Sequence, residues 1–308
     1  MKTTIGIDVG GTHARVGLVA GDGRLIASRR ERTPRDASTL LDWLVKTAQS
    51  FVADLPAGCD SPECAGWASP GVLNPERTQL VRAVNLEFLE RRPIRDELMN
   101  RLGIPLMLES DAAAAAWGEF MAAGQPQARF VYLTIGTGVG ATVILDGEIV
   151  RHTRNTAGQL GHLVMDSHPE APRCRCGARG CLEALVGGPA LEHAAATHHL
   201  SGSLTELETA YREENLAAQQ IVEEASRCLG AALVSIAHIY APDLIVVGGG
   251  VATVLPALLE AAQRVFKELA GDLVPSTVAV RVAQVGDRAG IIGVAQLARR
   301  FFGLADQL

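Results

Sequence analysis

Hydrophobic and polar positions along this 308-residue chain follow two different periods. Short alternating runs are typical of β-strands, and the N-terminal region contains three of them, at residues 3–8, 14–20 and 24–30. Residues 38–54 have helical spacing instead, and one side of the predicted helix carries Leu40, Leu41, Leu44, Val45 and Phe51. The C-terminal third is mostly helical, with a long helix predicted near 214–240 and a buried strand at 243–247. Strands that alternate with helices in this way predict an α/β protein.

The layout of the first three strands recurs later in the chain. Further strands are predicted at 131–138, 139–145 and 148–150. Asp146-Gly147 supplies a tight turn in this block, as Gly21-Asp22-Gly23 does in the first one. Two unrelated hairpins would produce the same pattern. A duplicated fold would instead place two glycine-rich turns on opposite sides of a cleft.

Composition and charge narrow the class of protein. A chain of this length is expected to form one large domain or two smaller ones. The net charge of −6 disfavours nucleic acid as a partner, and no apolar run approaches the roughly 20 residues that cross a membrane. The N-terminus is patterned as a strand and lacks a secretory hydrophobic segment. We therefore expect a cytoplasmic protein whose six cysteines are thiols or metal ligands.

Glycine-rich turns follow the predicted strands in both blocks. Glycine allows backbone N–H groups to approach an anion closely, and a threonine hydroxyl adds a further donor. The residues that carry this chemistry are Asp8, Gly10, Gly11 and Thr12 in the first turn, Gly136, Thr137 and Gly138 in the second, and Gly249 in a third. Asp8 is placed to hold Mg²⁺. Each turn alone is compatible with a purely structural role, but together they favour a nucleotide held between two lobes.

A cysteine-rich segment, RCRCGARGC at 173–181, contains three of the six cysteines. With the histidine that precedes it, the predicted ligand set is His162, Cys174, Cys176 and Cys181. One histidine and three cysteines are typical of a closed tetrahedral zinc site, which has no open position for catalysis. The alternative is a loop of free thiols near an unrelated histidine. A disulfide is disfavoured by the expected compartment, and the Cys-x-x-Cys redox motif is absent.

Three segments, IGIDVGGTHARVGLV, TIGTGVGATVILDG and VVGGGV, are similar to the phosphate and adenosine motifs of the actin-like sugar kinase superfamily. The segments AGQLGH and CRCGARGCLEAL resemble the signature of its ROK branch, named for repressors, unknown reading frames and kinases. The resemblance covers essentially the whole chain. It implies a duplicated actin-like (ribonuclease H-like) two-lobed kinase fold with an interlobe cleft. It also implies ATP as co-substrate, Mg²⁺, and structural Zn²⁺ on the same four ligands.

The same resemblance leads to a prediction of lobes and assembly. We predict a smaller lobe formed by residues 1–111 and 290–308. The larger lobe, formed by residues 112–289, would carry the loop that holds the four predicted zinc ligands. The C-terminal helix, at about 289–302, would return to the first lobe, and the lobes would close over the sugar. The family resemblance also favours a homodimer.

The resemblance assigns an acceptor site for a sugar. Asp111 corresponds to the catalytic aspartate and becomes the candidate general base, although Ser110 or Asp111 could simply cap the helix that follows. The helix start is expected to lower the pKa of Asp111. The residues implied in sugar binding are Ser110, Asp111, Gln159, His162, Glu183 and Asn85. Glu183 also has an alternative role, as an ordinary acidic residue at a helix start.

Two of these positions differ from the usual family pattern. Ser110 stands where kinases of this branch usually have Asn, and Gln159 stands where glucose-specific members usually have Glu. A glutamine offers one acceptor and one NH₂ donor in place of a charged double acceptor. That change would suit an N-acetyl carbonyl, and N-acetylmannosamine kinases of the family also lack the Glu.

We therefore predict an ATP-dependent kinase that phosphorylates the 6-hydroxyl of glucose or a related aldohexose. An amino-sugar kinase, acting on N-acetylmannosamine or N-acetylglucosamine, is the alternative within the same class. A non-catalytic sugar-sensing protein is the alternative of another class. It is disfavoured because Asp8 leaves no room before it for a DNA-binding segment and because the chain is acidic. The phosphate donor, ATP or polyphosphate, is not determined by these motifs.

Overall fold

The computed structural model describes residues 1–83, 85–124, 129–151 and 158–304. Two compact units divide the chain. The first comprises Met1–Pro126, Arg151–Thr156 and Asp287–Leu308, and the second comprises Gln127–Val150 and Ala157–Gly286. In the described residues, no helix combines the length and the apolar character that crossing a membrane requires.

The first unit is built on a sheet that the N-terminal strands begin. In chain order its elements up to the alanine-rich helix are β1 (Thr3–Val9), β2 (His13–Ala20), β3 (Leu25–Arg32), α1 (Ala37–Ala53), β4 (Ala65–Ser69), β5 (Val72–Leu73), β6 (Leu80–Arg82), α2 (Ile94–Leu102), β7 (Leu106–Ser110) and α3 (Asp111–Ala122). Five described strands form the main sheet, in the order β3-β2-β1-β4-β7. β1 pairs antiparallel with β2 and parallel with β4.

The second unit is built on a sheet of the same design. Its elements are β8 (Phe130–Ile135), β9 (Val139–Leu145), β10 (Glu148–Ile149), α4 (Leu182–Val186), α5 (Gly188–Thr197), α6 (Leu204–Arg212), α7 (Leu216–Tyr240), β11 (Leu244–Gly248), α8 (Gly250–Val254), α9 (Pro256–Leu269) and β12 (Ala279–Val282). The described strands are ordered β10-β9-β8-β11-β12. The last helix, α10 (Ala289–Phe301), belongs to the first unit.

The two sheets share one topology, which confirms the predicted duplication. In each sheet the first strand lies in the middle, pairs antiparallel with the second, and pairs parallel with the fourth. A glycine-rich turn joins the first and second strands in both units, at residues 10–12 and 136–138. Asp146 and Gly147 join β9 to β10 with φ values of 52° and 74°, the left-handed backbone that a two-residue hairpin turn requires.

Helix α1 shows how the hydrophobic pattern becomes structure. Its apolar side is buried, as the spacing predicted, and contributes to the core of the first unit. The Asp36 side chain accepts a hydrogen bond from the backbone N–H of Thr39 at 2.8 Å and so caps the helix. Each unit has its own hydrophobic core: that of the first surrounds the fully buried Trp67, and that of the second is centred on α7.

Helix α10 packs closely against α3 and β1 within the first unit. Gly118 of α3 faces the carbonyl oxygen of Ala289, where an added Cβ would lie 2.5 Å from that atom. Gly293 of α10 faces the backbone of Ala114 just as tightly. Helix α10 groups with the first unit, although it follows the second unit in sequence. The boundary of the first unit lies after α3, whereas the predicted lobe boundary was residue 111, because these glycine contacts join α3 to α10.

Candidate active site

The first glycine turn is fixed by a threonine from outside the motif. The Gly10 N–H donates to the His13 carbonyl at 2.9 Å, which closes the turn between β1 and β2. The Thr33 hydroxyl donates to the Gly10 carbonyl at 2.7 Å, and the Thr33 N–H donates to the Thr12 carbonyl at 2.9 Å. Three hydrogen bonds therefore hold the predicted phosphate turn in one conformation, as a preorganised anion site requires.

Asp8 carries its carboxylate near the end of β1, beside this turn. Arg15 Nη1 lies 3.3 Å from Asp8 Oδ2, and Arg15 Nη2 lies 3.1 Å from Asp287 Oδ2. Burial raises the pKa of Asp8 from 3.8 to about 6, against the opposing effect of Arg15, and the negative charge of Asp111 raises it further. The surrounding groups thus leave part of the charge on Asp8 uncompensated. A hard cation such as Mg²⁺ takes carboxylate oxygens and would compensate it, so Asp8 fits the predicted role.

Ser110 and Asp111 lie where β7 ends and α3 begins. Ser110 is the N-cap residue, and its Oγ accepts a hydrogen bond from the Ala113 N–H at 3.3 Å. Asp111 is the first residue of α3, and its Oδ1 accepts from the Ala112 N–H at 2.8 Å. Ser110 therefore caps α3, and the Asp111 carboxylate is held at the helix start by the Ala112 N–H.

The expectation of a lowered pKa for Asp111 was wrong. The Asp111 side chain is in contact with solvent, but the protein packed around it removes part of its hydration. This desolvation raises the pKa of Asp111, although backbone hydrogen bonds from Ala112 and from Asp111 itself act to lower it. The effect of the helix start on this pKa was overestimated, because the amount of protein packed around a side chain cannot be predicted from its neighbours in sequence. A raised pKa makes Asp111 a stronger base than the sequence indicated.

Asn85 lies directly against the first glycine turn. An added Cβ on Gly11 would approach the Asn85 Cβ to 2.8 Å and its Nδ2 to 3.4 Å. Asn85 also adopts a left-handed backbone, with a φ of 67°. The structure therefore places a residue predicted to bind sugar in contact with a turn predicted to bind phosphate, and a side chain at position 11 would force Asn85 to shift.

Sequence reasoning missed an ion cluster one residue before Ser110. Glu109 is buried, and its carboxylate pairs with Arg77 and, at 2.6 Å, with Arg151. Two arginines and one carboxylate leave a net positive charge beside the acceptor residues. The available signal was a carboxylate within an otherwise apolar strand, but its partners lie too far away in sequence to be identified.

The second and third glycine turns lie together in the second unit. The Gly136 N–H donates to the Gly138 carbonyl at 2.9 Å, and the Gly188 N–H donates to the Gly136 carbonyl at 2.7 Å. Gly249 adopts a φ of 90° and packs so closely on the Ile135 backbone that an added Cβ would collide with it. The predicted phosphate residues of this unit, including Thr137, are thus gathered at the ends of β8 and β11.

The four predicted metal ligands converge in the second unit. The ligand atoms of His162, Cys174, Cys176 and Cys181 all lie within 4.8 Å of one another. Cys176 Sγ is 3.7 Å from Cys181 Sγ, and Cys174 Sγ is 3.5 Å from His162 Nδ1. In a zinc tetrahedron with ordinary bond lengths the sulfurs are about 3.8 Å apart, and sulfur and nitrogen are about 3.6 Å apart. The donor set therefore fits structural zinc in both chemistry and spacing.

The loop around these ligands, residues 162–181, is named here the zinc loop. His162 ends a short 3₁₀ turn (Leu160–His162), and Cys181 is the N-cap of α4. The Leu182 N–H donates to the Leu163 carbonyl at 2.8 Å, and the Met165 N–H donates to the Gly180 carbonyl at 2.8 Å. These bonds bring the two ends of the loop together.

The thiols differ in their acidity. Burial raises the pKa of Cys174 to about 12 and also raises that of Cys181, whereas a backbone hydrogen bond from Ala178 lowers that of Cys176. Thiolates are the form that binds metal, so a bound cation has to displace protons from the two buried thiols.

The remaining predicted sugar residues belong to the second unit. Gln159 is exposed and directly precedes the 3₁₀ turn, where its carbonyl accepts a hydrogen bond from the His162 N–H at 2.9 Å. Glu183 is the second residue of α4, and its Oε2 accepts from the Val139 N–H at 3.0 Å, a contact that the sequence did not predict. The predicted site residues are thus collected in two groups, one in each unit. The cleft that would bring the groups together stays a prediction.

Two sheets with one strand order, each bearing a glycine turn after its central strand, define an actin-like fold of the kind found in sugar kinases. The chain belongs to the ROK family, whose profile matches residues 4–301. It is 29% identical to a glucokinase from Streptomyces coelicolor, over 97% of this chain and 98% of that one. It is 30% identical to an N-acetylmannosamine kinase from Salmonella paratyphi B, over 96% and 98%. A ROK family glucokinase from Streptomyces griseus, solved with glucose and AMPPNP, is 30% identical with a TM-score of 0.77, covering 97% and 99%.

Proposed function

We propose that this protein is an ATP-dependent kinase that transfers the γ-phosphoryl group to the 6-hydroxyl of a hexose. The observation that carries the proposal is the pairing of functions within the first unit. Asp111 has a raised pKa, and its charge in turn raises the pKa of Asp8 beside the first glycine turn. One carboxylate is suited to accept a proton and the other to hold a cation. Relatives that are glucokinases and N-acetylmannosamine kinases support the same class.

In the proposed reaction the sugar O6 attacks the γ-phosphorus. A new O–P bond forms, the bond from the γ-phosphorus to the bridging oxygen breaks, and ADP leaves. The proton of the 6-hydroxyl passes to Asp111, whose Oδ1 is already fixed by the Ala112 N–H. Asp8 would hold Mg²⁺, which supplies charge neutralisation for the phosphates when bound. The fixed turn at Gly10–Thr12 would position the phosphates through its backbone.

The second unit would supply the remaining contacts to nucleotide and sugar. Gly136, Thr137, Gly138 and Gly249 would contact ATP, and Gln159, His162 and Glu183 would contact the sugar. Because His162 Nδ1 faces Cys174, Nε2 is the nitrogen left to donate to a sugar hydroxyl. The zinc would be structural, since all four of its positions are taken by protein ligands.

The test is an ADP-release assay with ATP, and separately polyphosphate, as donor. The acceptors would be glucose, mannose, glucosamine, N-acetylglucosamine, N-acetylmannosamine, allose and fructose. Asp111→Asn should lower kcat by about 10²–10⁴-fold, because an amide cannot accept the proton. Asp96→Asn, at an exposed site on α2, serves as the matched control. Absence of turnover with every sugar by the zinc-loaded protein would overturn the proposal and favour a sugar-sensing role.

The choice of sugar is proposed to depend on Gln159 and Ser110. An N-acetyl-hexosamine is the second candidate substrate, because Gln159 is exposed and offers an amide donor where glucose-specific relatives carry a carboxylate. Gln159→Glu should raise kcat/KM for glucose relative to N-acetylmannosamine by about tenfold, the effect of one hydrogen bond to a charged group. An unchanged ratio of the two kcat/KM values would show that position 159 does not select the substrate.

A further inference from the structure

We propose that Glu183 is a positioning residue that holds the second glycine turn and links it to the zinc loop. This inference rests on the proposed function, because it assigns the turn's geometry to ATP binding. A sugar ligand needs only a carboxylate aimed at the substrate. The structure shows instead that one oxygen of Glu183 is engaged by the backbone of the turn.

The first argument is the contact itself. Glu183 Oε2 accepts the Val139 N–H at 3.0 Å, directly after the turn and at the start of β9. Gly138 is packed against the same oxygen, where an added Cβ would lie 2.5 Å from Oε2. A side chain at position 138 would therefore displace the carboxylate. The Glu183 carboxylate can occupy this position only because residue 138 is a glycine.

The second argument is that α4 and the start of α5 hold the turn at both of its ends. Glu183, near the N-terminus of α4, accepts the hydrogen bond from the Val139 N–H on one side of the turn. On the other side of the turn, the N–H of Gly188, the first residue of α5, donates to the Gly136 carbonyl at 2.7 Å. Helix α4 is only five residues long and Gly187 alone separates it from α5, so one short segment makes the contacts on both sides of the turn.

The third argument is the link to the metal ligands. The N-cap of α4 is Cys181, so the ligand and the clamp belong to one helix start. On the other side, Gly161 packs so tightly on the Val139 carbonyl that an added Cβ would collide with it, and its neighbour is His162. Val139 thus lies between two segments that end in zinc ligands. Closing the zinc loop fixes both segments.

The two oxygens of Glu183 can serve different tasks. Oε1 lies 3.5 Å from Cys174 Sγ, which donates to it as a thiol. With zinc bound, Cys174 would be a thiolate with no proton to donate, which would leave Oε1 for a sugar hydroxyl while Oε2 keeps the Val139 N–H. The positioning role therefore adds to sugar binding and does not exclude it.

Amide hydrogen exchange at Val139, measured on the full zinc-loaded chain without substrates, tests the inference. Glu183→Ala should speed exchange about tenfold, whereas Glu183→Gln should keep protection because its amide oxygen still accepts the N–H. Gly138→Ala should speed exchange as Glu183→Ala does, and the double variant should show no further increase. Gly136→Ala, whose added Cβ meets nothing within 4 Å, is the matched control and should leave Val139 protected.

A variant of a zinc ligand and measurements of nucleotide binding complete the test. Cys176→Ser, which keeps Glu183 but weakens the metal site, should speed exchange at Val139, and both it and Glu183→Ala should weaken AMPPNP binding severalfold. Unchanged exchange at Val139 in Glu183→Ala, with only sugar affinity reduced, would overturn the inference. These exchange measurements need no turnover. A chain that phosphorylates no sugar but shows the predicted exchange would therefore refute the proposed function alone.

Discussion

Arg15 bridges Asp8 and Asp287, with one guanidinium nitrogen 3.3 Å from Asp8 Oδ2 and the other 3.1 Å from Asp287 Oδ2. Arg15 and Asp8 are both largely buried, whereas Asp287 is exposed. The bridge reduces the cost of burying the Asp8 charge without removing it, since the pKa of Asp8 is still raised to about 6. Ionised Asp8, the residue proposed to hold the cation, therefore destabilises the folded protein when no cation is bound.

Asp8→Asn should stabilise the metal-free protein at neutral pH. The pKa of Asp8 is 3.8 in the unfolded chain and about 6 in the folded one, so folding favours the protonated carboxyl. The stability that the protonated carboxyl contributes is therefore lost as the pH rises from about 4 to 6. The asparagine avoids this cost and still accepts from Arg15. The gain should be on the order of 1–3 kcal/mol above pH 6 and should vanish below pH 4. Urea unfolding at several pH values checks it, and a variant less stable than wild type at pH 7.5 contradicts it.

Removing the Glu109 carboxylate should destabilise the first unit strongly. Glu109→Ala leaves Arg77 and Arg151 without their buried partner, which should cost on the order of 3 kcal/mol in the free energy of unfolding. Arg151→Ala should cost only about 1 kcal/mol, because Arg151 is 40% exposed and Arg77 continues to pair with Glu109. Chemical denaturation of both variants tests the ranking, and equal losses would show that the cluster does not act as a buried network.

Gly293→Ala should destabilise the protein through helix packing. The added methyl group would collide with the backbone of α3 at Ala114, and neither backbone can move without disturbing the contact of α10 with β1. A loss of about 3 kcal/mol is expected from such overpacking. Gly250→Ala, in a helix where the added Cβ meets nothing within 4 Å, should be neutral or stabilising. Thermal melting of both variants separates collision from loss of glycine itself.

Metal analysis should find one zinc ion for each chain, and its removal by a chelator should lower Tm by about 5–10 °C. A bound zinc ion would join the ends of a loop that otherwise depends on a few backbone hydrogen bonds. Cys176→Ser should lose most of the metal, whereas Cys228→Ser, at a thiol outside the cluster, should retain it. Full zinc content in Cys176→Ser would remove that residue from the ligand set.

The sequence predicted the features that depend on nearby residues. The bounds predicted for β9 agree with the structure, and the spacing of four ligands predicted their cluster, because strand periodicity and metal chemistry are local. The Glu109 cluster, the closure of the first turn by Thr33 and the contact of Glu183 with Val139 were not predicted. Each joins residues far apart in the chain. The predicted lowering of the pKa of Asp111 was wrong for the same reason, since desolvation by surrounding protein depends on the whole fold.

The place of α10 has a consequence for biosynthesis. Residues 289–301 pack on β1 and α3, yet they are made after every residue of the second unit. Gly6, Gly17 and Gly66 of the first sheet lie against Ile291 and Val294 of this helix, so that face stays uncovered until α10 has been synthesised. The second unit has all of its strands available earlier. During synthesis it should reach its native state first, and the N-terminal half, although made first, should be completed last.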